Sequence, residues 1–177
     1  MSLRNSLKTI KAFAFDIDGV ATDGSILCTS DGDLLRVYDA KDGFAIRMAV
    51  MHGYPIAVIT GGSSESIRKR MVTSGINPDD VYLHCRDKRE QFALFLEKYK
   101  LKAEEVMYFG DDTPDIDLLK ISGCGVCPAD ASPDAAAAAD WMTEANGGKG
   151  CLREAIEKTL RIQGKWEFDP QQYKAKF

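Results

Sequence analysis

Short apolar segments alternate with amphipathic segments along most of this sequence, and that alternation leaves few architectures open to the chain. Segments typical of buried strands cover residues 12–15, 56–60, 81–84, 106–110 and 125–127. Segments with helical periodicity cover residues 44–52, 64–74, 88–99, 116–121 and 152–162, and the alanine run 135–139 predicts a further short helix. Strands joined by helices form βαβ units, in which helices cover both faces of a mainly parallel sheet. The sequence therefore predicts an α/β fold, a Rossmann-like three-layer sandwich.

The size and charge of the chain set its domain organisation and exclude several classes of partner. Its 177 residues suffice for one domain, which we predict over residues 1–163, followed by a tail at 164–177 that is either a loose end or a docked arm. The net charge of −4, with mixed signs, argues against nucleic acid as a partner. No apolar run approaches the roughly 20 residues of a membrane span, and the N-terminus lacks the apolar region of a secretory signal. We therefore expect a cytoplasmic protein.

The five cysteines do not indicate a disulfide framework, because their number is odd and they are scattered through the chain. Cys124 and Cys127 form a CxxC pattern, which occurs in zinc and redox sites. The sequence has no second such pattern, and its only histidines, His52 and His84, lie far away along the chain. We interpret Cys124 and Cys127 as small apolar residues of a strand.

One segment interrupts the alternation of strands and helices. Residues 25–28 and 34–38 flank a turn-rich stretch with Asp-Gly at its centre, which predicts a β-hairpin over about residues 24–38. Isolated hairpins are only marginally stable in water, so we expect this one to pair with another surface. The alternative is a simple surface flap.

Two acidic clusters follow predicted strands. Asp16 and Asp18 come directly after the first strand and are spaced so that both side chains can point in the same direction. Asp111, Asp112 and Asp115 follow the strand predicted at 106–110. Since ligands bind beyond the carboxyl ends of parallel strands, we expect both clusters at one edge of the sheet. Neighbouring carboxylates repel one another unless a cation intervenes, and hard oxygen ligands suit Mg²⁺.

Two further strand ends carry groups that can bind an anion. Thr60 and Gly61 offer a hydroxyl and backbone N–H groups, and Lys88 supplies a positive charge at the start of a predicted helix. Each of these features alone is ordinary turn chemistry. Together, in order and at successive strand ends, they indicate phosphoryl transfer, in which an aspartate attacks phosphorus and water then releases the aspartyl phosphate.

The groups at the strand ends resemble the motifs of the haloacid dehalogenase superfamily of phosphatases: DIDGV at 16–20, Thr60, Lys88 and GDDTPD at 110–115. The resemblance implies that Asp16 is the nucleophile and Asp18 the general acid/base. It implies Mg²⁺ bound by the Asp16 carboxylate, the Asp18 backbone carbonyl and Asp111, with Asp112 and Asp115 in support. The phosphate would be held by Thr60, Gly61 and Lys88.

From about residue 12 to residue 160 the chain is similar to the 3-deoxy-D-manno-octulosonate 8-phosphate (KDO 8-phosphate) phosphatases, which act in lipopolysaccharide sugar biosynthesis. DGVATDG, DAKDGFAIR and GGKGCLRE carry this similarity. It implies a phosphatase without a cap domain, and the short intervals 19–55 and 61–81 independently leave no room for one. It also implies a homotetramer in which the hairpins form a central barrel and a neighbouring subunit closes each site. The implied substrate-binding residues are Asp39, Lys41, Asp42, Gly43, Arg47 and Arg70.

Two positions depart from the pattern of that branch. Lys41 stands where an arginine is usual, and Gly62 stands where these phosphatases carry an arginine that would bind the substrate carboxylate in bidentate fashion. Either another cation compensates, such as Lys69 or one from the tail, or the substrate is a nine-carbon relative, a nonulosonate 9-phosphate. For Arg47 and Arg70, the alternative is that both are solvated helix charges.

The charged residues and the missing cap argue against two other functions. A non-catalytic tetramerising module would have no need of the charged residues Asp16, Asp18, Lys88 and Asp111. A phosphomutase would need a cap to keep its intermediate from water. The sequence therefore favours hydrolysis of KDO 8-phosphate.

Overall fold

The computed structural model describes residues 3–177 and has a single central sheet of six parallel strands in the order β5-β4-β1-β6-β7-β8. The eight strands of the described chain are β1 (Ala12–Phe15), β2 (Leu27–Cys28), β3 (Leu34–Leu35), β4 (Ile56–Ile59), β5 (Val81–Tyr82), β6 (Val106–Phe109), β7 (Cys124–Cys127) and β8 (Trp141–Met142). The helices are α1 (Leu3–Thr9), α2 (Ala40–Met51), α3 (Glu65–Thr73), α4 (Lys88–Tyr99), α5 (Ile116–Ile121), α6 (Pro133–Ala138), α7 (Cys151–Ile162) and α8 (Pro170–Lys176). The α/β fold predicted from the alternation of segments is confirmed.

The sheet separates two hydrophobic clusters, and the alternation of side chains along each strand determines which cluster a residue joins. Phe13 and Phe15 of β1 face the cluster that contains α1, α2, α3 and α7, whereas Ala12 and Ala14 face the cluster of α4, α5 and α6. The small alanines leave space on the second face, where Tyr108 of β6 is fully buried. Because both faces are covered, the central strands are apolar throughout, which explains why they were recognisable in the sequence.

The predicted hairpin forms, but its paired part is short. β2 and β3 pair antiparallel through only two residues each, Leu27 with Leu35 and Cys28 with Leu34. The side chains of Leu27 and Val37 are 65% and 78% exposed. Between the end of β1 and the start of α2 the chain forms a turn and this hairpin, and no cap is inserted there.

Three elements were not predicted from the sequence: α1, β8 and α8. The last of these lies in the tail and packs on α2 of the same chain. Tyr173 contacts Phe44 with ring centroids 6.1 Å apart, and Lys176 donates from Nζ to the Val50 carbonyl at 3.0 Å. The tail is therefore a docked arm in this chain, whereas the predicted boundary at residue 163 stays a prediction.

Cys124 and Cys127 lie in β7 and are buried, in agreement with their interpretation as strand residues. Burial raises the pKa of the Cys124 thiol to about 12, so the thiol is protonated at neutral pH. Within residues 3–177, no helix combines the length and apolar character that crossing a membrane requires.

Candidate active site

The chain changes direction across the sheet at β1, and this creates a crevice at the carboxyl ends of the strands. From β1 the chain passes to β4 and β5 on one side and then returns to β6 on the other. Asp16 directly follows the end of β1, and Thr60 directly follows the end of β4. Asp111 is separated from the end of β6 by one residue, Gly110. Such a reversal of strand order is the usual place for a ligand in an open parallel sheet.

A tight turn after β1 orients the first acidic cluster. The Asp16 carboxylate accepts a hydrogen bond from the Ile17 N–H at 2.7 Å, and the turn Ile17–Ala21 follows. Gly19 has φ +89°, and a Cβ placed there would lie 2.0 Å from Oδ2 of Asp111. Only glycine at this position therefore leaves room for the Asp111 carboxylate.

The GGKG segment before α7 packs directly against this turn. A Cβ at Gly147 would lie 1.9 Å from the carbonyl oxygen of Gly19, and the Gly148 N–H donates to the Val20 carbonyl at 2.8 Å. The glycines of that motif thus allow two stretches of backbone to approach each other, and α7 supports the turn that follows β1.

Lys88 connects the two acidic clusters. Its Nζ lies 2.8 Å from Oδ2 of Asp16 and 2.6 Å from Oδ1 of Asp115, and its side chain is only 5% exposed. Asp87 caps α4 by accepting from the Arg89 N–H, which fixes Lys88 in the first turn of the helix. The Tyr108 hydroxyl donates to the same Asp115 oxygen. Sequence reasoning missed Tyr108, whose only signal was a polar tip in an otherwise apolar strand.

The carboxylates outnumber the cations at this point in the structure. One carboxylate oxygen from each of Asp16, Asp111 and Asp115 lies within 4.8 Å of the other two, with Lys88 as the ammonium group among them. Burial and then neighbouring carboxylates raise the pKa of Asp16 to about 6 and that of Asp111 to about 7. Burial alone would lower the pKa of Lys88, but the negative charges of Asp16 and Asp115 have the larger opposite effect. The net result is a raised pKa for Lys88.

Excess negative charge on hard oxygen atoms suits a divalent cation such as Mg²⁺. The residues present therefore fit the predicted metal. Asp115 is held by Lys88 and Tyr108, which suits a supporting role. Asp112 is exposed and caps the short turn Thr113–Asp115.

The carboxylate of Asp18 faces the hairpin rather than Lys88. It forms a bidentate ion pair with Arg36, whose Nε lies 2.6 Å from Oδ1 and whose Nη2 lies 2.9 Å from Oδ2. Arg36 was not identified from the sequence, because nothing in a hairpin strand indicates that one arginine will contact an aspartate 18 residues away.

The loops after β4 and β5 hold each other in place. The buried Thr60 hydroxyl accepts from the Gly62 N–H at 3.1 Å, and the Thr60 carbonyl accepts from the Cys85 N–H at 2.9 Å. The His84 N–H donates to the Gly62 carbonyl at 3.0 Å. This network fixes Thr60 at the crevice and leaves Gly61 exposed.

The six predicted substrate-binding residues do not all lie together. Asp39, Asp42, Gly43 and Arg70 line one small cavity beside Tyr38, and the Arg70 guanidinium lies 5.6 Å from the centroid of the Tyr38 ring. Lys41 is exposed in the first turn of α2.

Two of the six have their polar atoms engaged in packing. The Asp42 carboxylate accepts from the Arg153 N–H at 2.7 Å and from the Gly150 N–H at 3.2 Å, and so it holds the start of α7 against α2. The Arg47 guanidinium donates to the Tyr173 hydroxyl at 2.6 Å and to the Thr73 carbonyl at 2.8 Å. Arg47 is therefore covered by the tail in this chain.

An open cavity adjoins Lys88. Its volume is about 440 Å³, and Lys88, Thr113 and Pro114 are among the residues that line it. A cavity of about 540 Å³ lies at the amino ends of the strands, where Lys11, Tyr54 and Glu105 line it. None of the clustered acids borders that cavity. Volume alone therefore does not locate the site, whereas the convergence of charged groups does.

Comparisons with known proteins agree with this geometry. The haloacid dehalogenase-like hydrolase family matches residues 49–154. The chain is 34% identical to the KDO 8-phosphate phosphatase KdsC of Escherichia coli (strain K12) over 158 residues, which are 89% of this chain and 83% of that relative. The crystal structure of the Yersinia pestis KDO 8-phosphate phosphatase matches with a TM-score of 0.89 at 30% identity, over 92% of this chain and 87% of that one. The Moraxella catarrhalis enzyme, in complex with magnesium, phosphate and KDO, matches with a TM-score of 0.87 at 29% identity, over 91% of each chain.

Proposed function

Because this chain belongs to the haloacid dehalogenase-like hydrolases, we propose that it hydrolyses KDO 8-phosphate to KDO and inorganic phosphate. The observation that carries the proposal is the convergence of Asp16, Asp111 and Asp115 around Lys88 at the carboxyl edge of the sheet. A cluster of buried carboxylates is costly for a fold and is best explained by the chemistry it performs.

The reaction has two steps, both centred on the phosphorus atom. In the first, an oxygen of Asp16 bonds to phosphorus while the bond from phosphorus to the sugar oxygen breaks, and that oxygen takes a proton from Asp18, which must be in its protonated form for this step rather than the carboxylate paired with Arg36. In the second, Asp18 takes a proton from water, whose oxygen bonds to phosphorus as the bond to Asp16 breaks. The products are the sugar acid and phosphate, and both aspartates return to their initial state.

Three groups would hold Mg²⁺: the Asp16 and Asp111 carboxylates and the backbone carbonyl of Asp18. When bound, the ion offsets the negative charge of the carboxylates and of the transferred phosphoryl group. Lys88 keeps the Asp16 carboxylate oriented through the contact at 2.8 Å and faces the incoming phosphate. Thr60 and Gly61, held by the network between the two loops, would bind the remaining phosphate oxygens.

Phosphate release with Mg²⁺ tests this proposal directly. KDO 8-phosphate and a nonulosonate 9-phosphate are compared side by side, with Asp16→Asn as the inactive control. We expect a clear preference for the eight-carbon substrate. The nine-carbon substrate is the second candidate because Gly62 provides no side chain in the crevice, and a preference for it would reassign the enzyme. No release from either would exclude both sugar acids.

We also propose that the chain works as a homotetramer in which a neighbouring subunit closes each site. The exposed apolar side chains of the hairpin support this, since Ile26, Leu27 and Val37 are 45%, 65% and 78% exposed. Light scattering during size-exclusion chromatography would give the mass. Leu27→Asp with Val37→Asp should yield smaller species, and an unchanged mass would exclude the hairpin as the interface.

We propose a cytoplasmic location on the basis of the cysteines. All five are free thiols, four of them buried, as expected of a protein that folds in a reducing compartment. Fractionation of cells that express the chain would test this location.

A further inference from the structure

Arg36 turns its side chain from the hairpin towards Asp18 and the crevice. Its neighbours Leu35 and Val37 are 42% and 78% exposed, whereas the Arg36 side chain is only 2% exposed. Because successive side chains of an extended segment point to opposite sides, the outward direction of Leu35 and Val37 turns Arg36 towards the sheet. A long cationic side chain is rarely buried unless it is paired with a specific partner.

The contacts of Arg36 use only part of its hydrogen-bonding capacity. Two N–H groups bind the Asp18 carboxylate, and Nη1 donates to the Leu34 carbonyl at 3.1 Å. Arginine carries five N–H groups, so two of them have no hydrogen-bond partner among residues 3–177. The bidentate pair fixes the orientation of the guanidinium, and therefore the direction of these two remaining donors.

The guanidinium also occupies the space beside Gly62. Nη2 lies 3.3 Å from the position that a Cβ at Gly62 would take, and the Thr60 hydroxyl oxygen lies 3.4 Å from the same position. The nearest atom to that position is Cδ1 of Ile67, at 2.8 Å, so the side chains of Ile67 and Arg36 both pack against Gly62. The positive charge stands between that loop and Asp18.

A sugar acid brings a second anionic group into this crevice, in addition to its phosphate. The carboxylates of Asp16, Asp18, Asp111 and Asp115 already exceed the nearby cations, and the Lys88 ammonium is shared by two of them. A further carboxylate in such surroundings needs a cation of its own. Arg36 contacts the catalytic Asp18 directly, whereas Arg70 donates to the Ser74 hydroxyl at 2.9 Å and lies over the ring of Tyr38.

We propose that Arg36 is a specificity-determining residue that binds the carboxylate of the sugar-acid substrate, from the hairpin, beside the loop at Gly62. This inference rests on the proposed function. The Asp18 pair holds the guanidinium in place before the substrate arrives, so little side-chain entropy is lost on binding. A hairpin residue then supplies the positive charge that residue 62 does not.

The competing explanation is that Arg36 only positions Asp18. The two roles separate when substrates with and without a carboxylate are compared. KDO 8-phosphate carries one, and a pentose 5-phosphate offers the same kind of phosphate ester without one. Loss of a carboxylate-binding residue affects only the first substrate, whereas a misplaced Asp18 slows proton transfer for both.

The experiment measures kcat and KM for both substrates in the wild type, Arg36→Gln and Arg36→Lys, with Arg161→Gln on α7 as the matched control. For Arg36→Gln we expect kcat/KM to fall about 10- to 100-fold on KDO 8-phosphate, mainly through KM, and less than about threefold on the pentose phosphate. Arg36→Lys keeps the positive charge but loses the two parallel N–H donors of the guanidinium. Its kcat/KM on KDO 8-phosphate should lie between those of the wild type and Arg36→Gln. It also serves as the test if Arg36→Gln does not fold. Arg161→Gln should match the wild type.

Equal losses on both substrates, carried by kcat, would overturn the inference and leave Arg36 as a positioning residue for Asp18. The proposed function would still stand in that case, because the wild type would remain active on KDO 8-phosphate. A wild type without activity on KDO 8-phosphate would instead refute the proposed function, and the inference with it.

Discussion

Replacing Lys88 by Met removes the ammonium group from the acidic cluster and keeps most of the volume of the side chain. The side chains of Lys88, Asp16 and Asp115 are 5%, 13% and 1% exposed, so both ion pairs of Lys88 are buried. Removing one partner of a buried ion pair typically costs about 3–5 kcal/mol, because the remaining charges are left without compensation. We therefore expect Lys88→Met to lower the free energy of unfolding by about that amount at pH 8, without metal.

The loss of unfolding free energy in Lys88→Met should depend on pH, and the raised pKa values of the neighbouring carboxyls determine in which direction it changes. Even with Lys88 present, the pKa of Asp16 is about 6 and that of Asp111 about 7, both above the ordinary value of 3.8. A carboxyl with a raised pKa in the folded state keeps its proton there while the unfolded chain releases it. Stability is therefore complete below the unfolded pKa near 4 and is lost as the pH rises through about 6 to 7. At pH 5 the carboxyls of Asp16 and Asp111 in the Lys88→Met variant can take up protons. The difference in the free energy of unfolding between the variant and the wild type should then shrink to about 1–2 kcal/mol.

Urea unfolding followed by circular dichroism at pH 5 and pH 8, in the presence of a chelator, measures both values. Lys11→Met is the matched control, since Lys11 pairs with Glu105 at 2.6 Å but is 64% exposed. An exposed pair contributes about 0–1 kcal/mol, and the control should show little dependence on pH. A Lys88→Met deficit of the same size at both pH values would refute the electrostatic reasoning and attribute the loss to packing.

Three further predictions concern the nucleophile, the metal and the tail. Asp16→Asn should abolish phosphate release and leave the melting temperature within a few degrees of the wild type; activity near that of the wild type would contradict its role as the nucleophile. Mg²⁺ should raise the melting temperature more at pH 8 than at pH 5.5, because binding requires ionised Asp16 and Asp111; a larger shift at pH 5.5 would oppose this assignment. Deletion of the residues after Gly164 should lower the melting temperature, since it uncovers Phe44 and Arg47 on α2; kinetics with KDO 8-phosphate would show whether it also changes KM.

The sequence was informative wherever the decisive interactions are local. The strands around β1 are buried on both faces and were visible as apolar runs, and α4 begins and ends at the predicted residues. The candidate catalytic residues were found because each directly follows such a run or opens the next helix. Strand ends are fixed by periodicity, and the parallel sheet brings them to one edge.

Contacts that depend on distant segments could not be predicted. The polar tip of Tyr108 reaches Asp115 only because both lie at the same end of β6, and Arg36 reaches Asp18 only through the path of the hairpin. The polar atoms of Asp42 and Arg47 are engaged by α7 and by the tail, and substrate binding by these two residues stays a prediction. A charged residue in an amphipathic helix has several available partners, and the tertiary packing decides among them.

The close packing around Gly19 determines where this enzyme can change without losing its chemistry. Any side chain at that position would displace Asp111, and any side chain at Gly147 would displace the backbone of the turn itself. The back wall of the crevice is therefore intolerant of substitution. The opposite side, formed by the hairpin and the loop at Gly62, is less restricted, because a Cβ at Gly62 would meet the ends of the Ile67 and Arg36 side chains and no backbone or catalytic carboxylate. Adaptation to a new sugar acid can proceed there by exchange of single residues, while the machinery that breaks the phosphate ester stays the same.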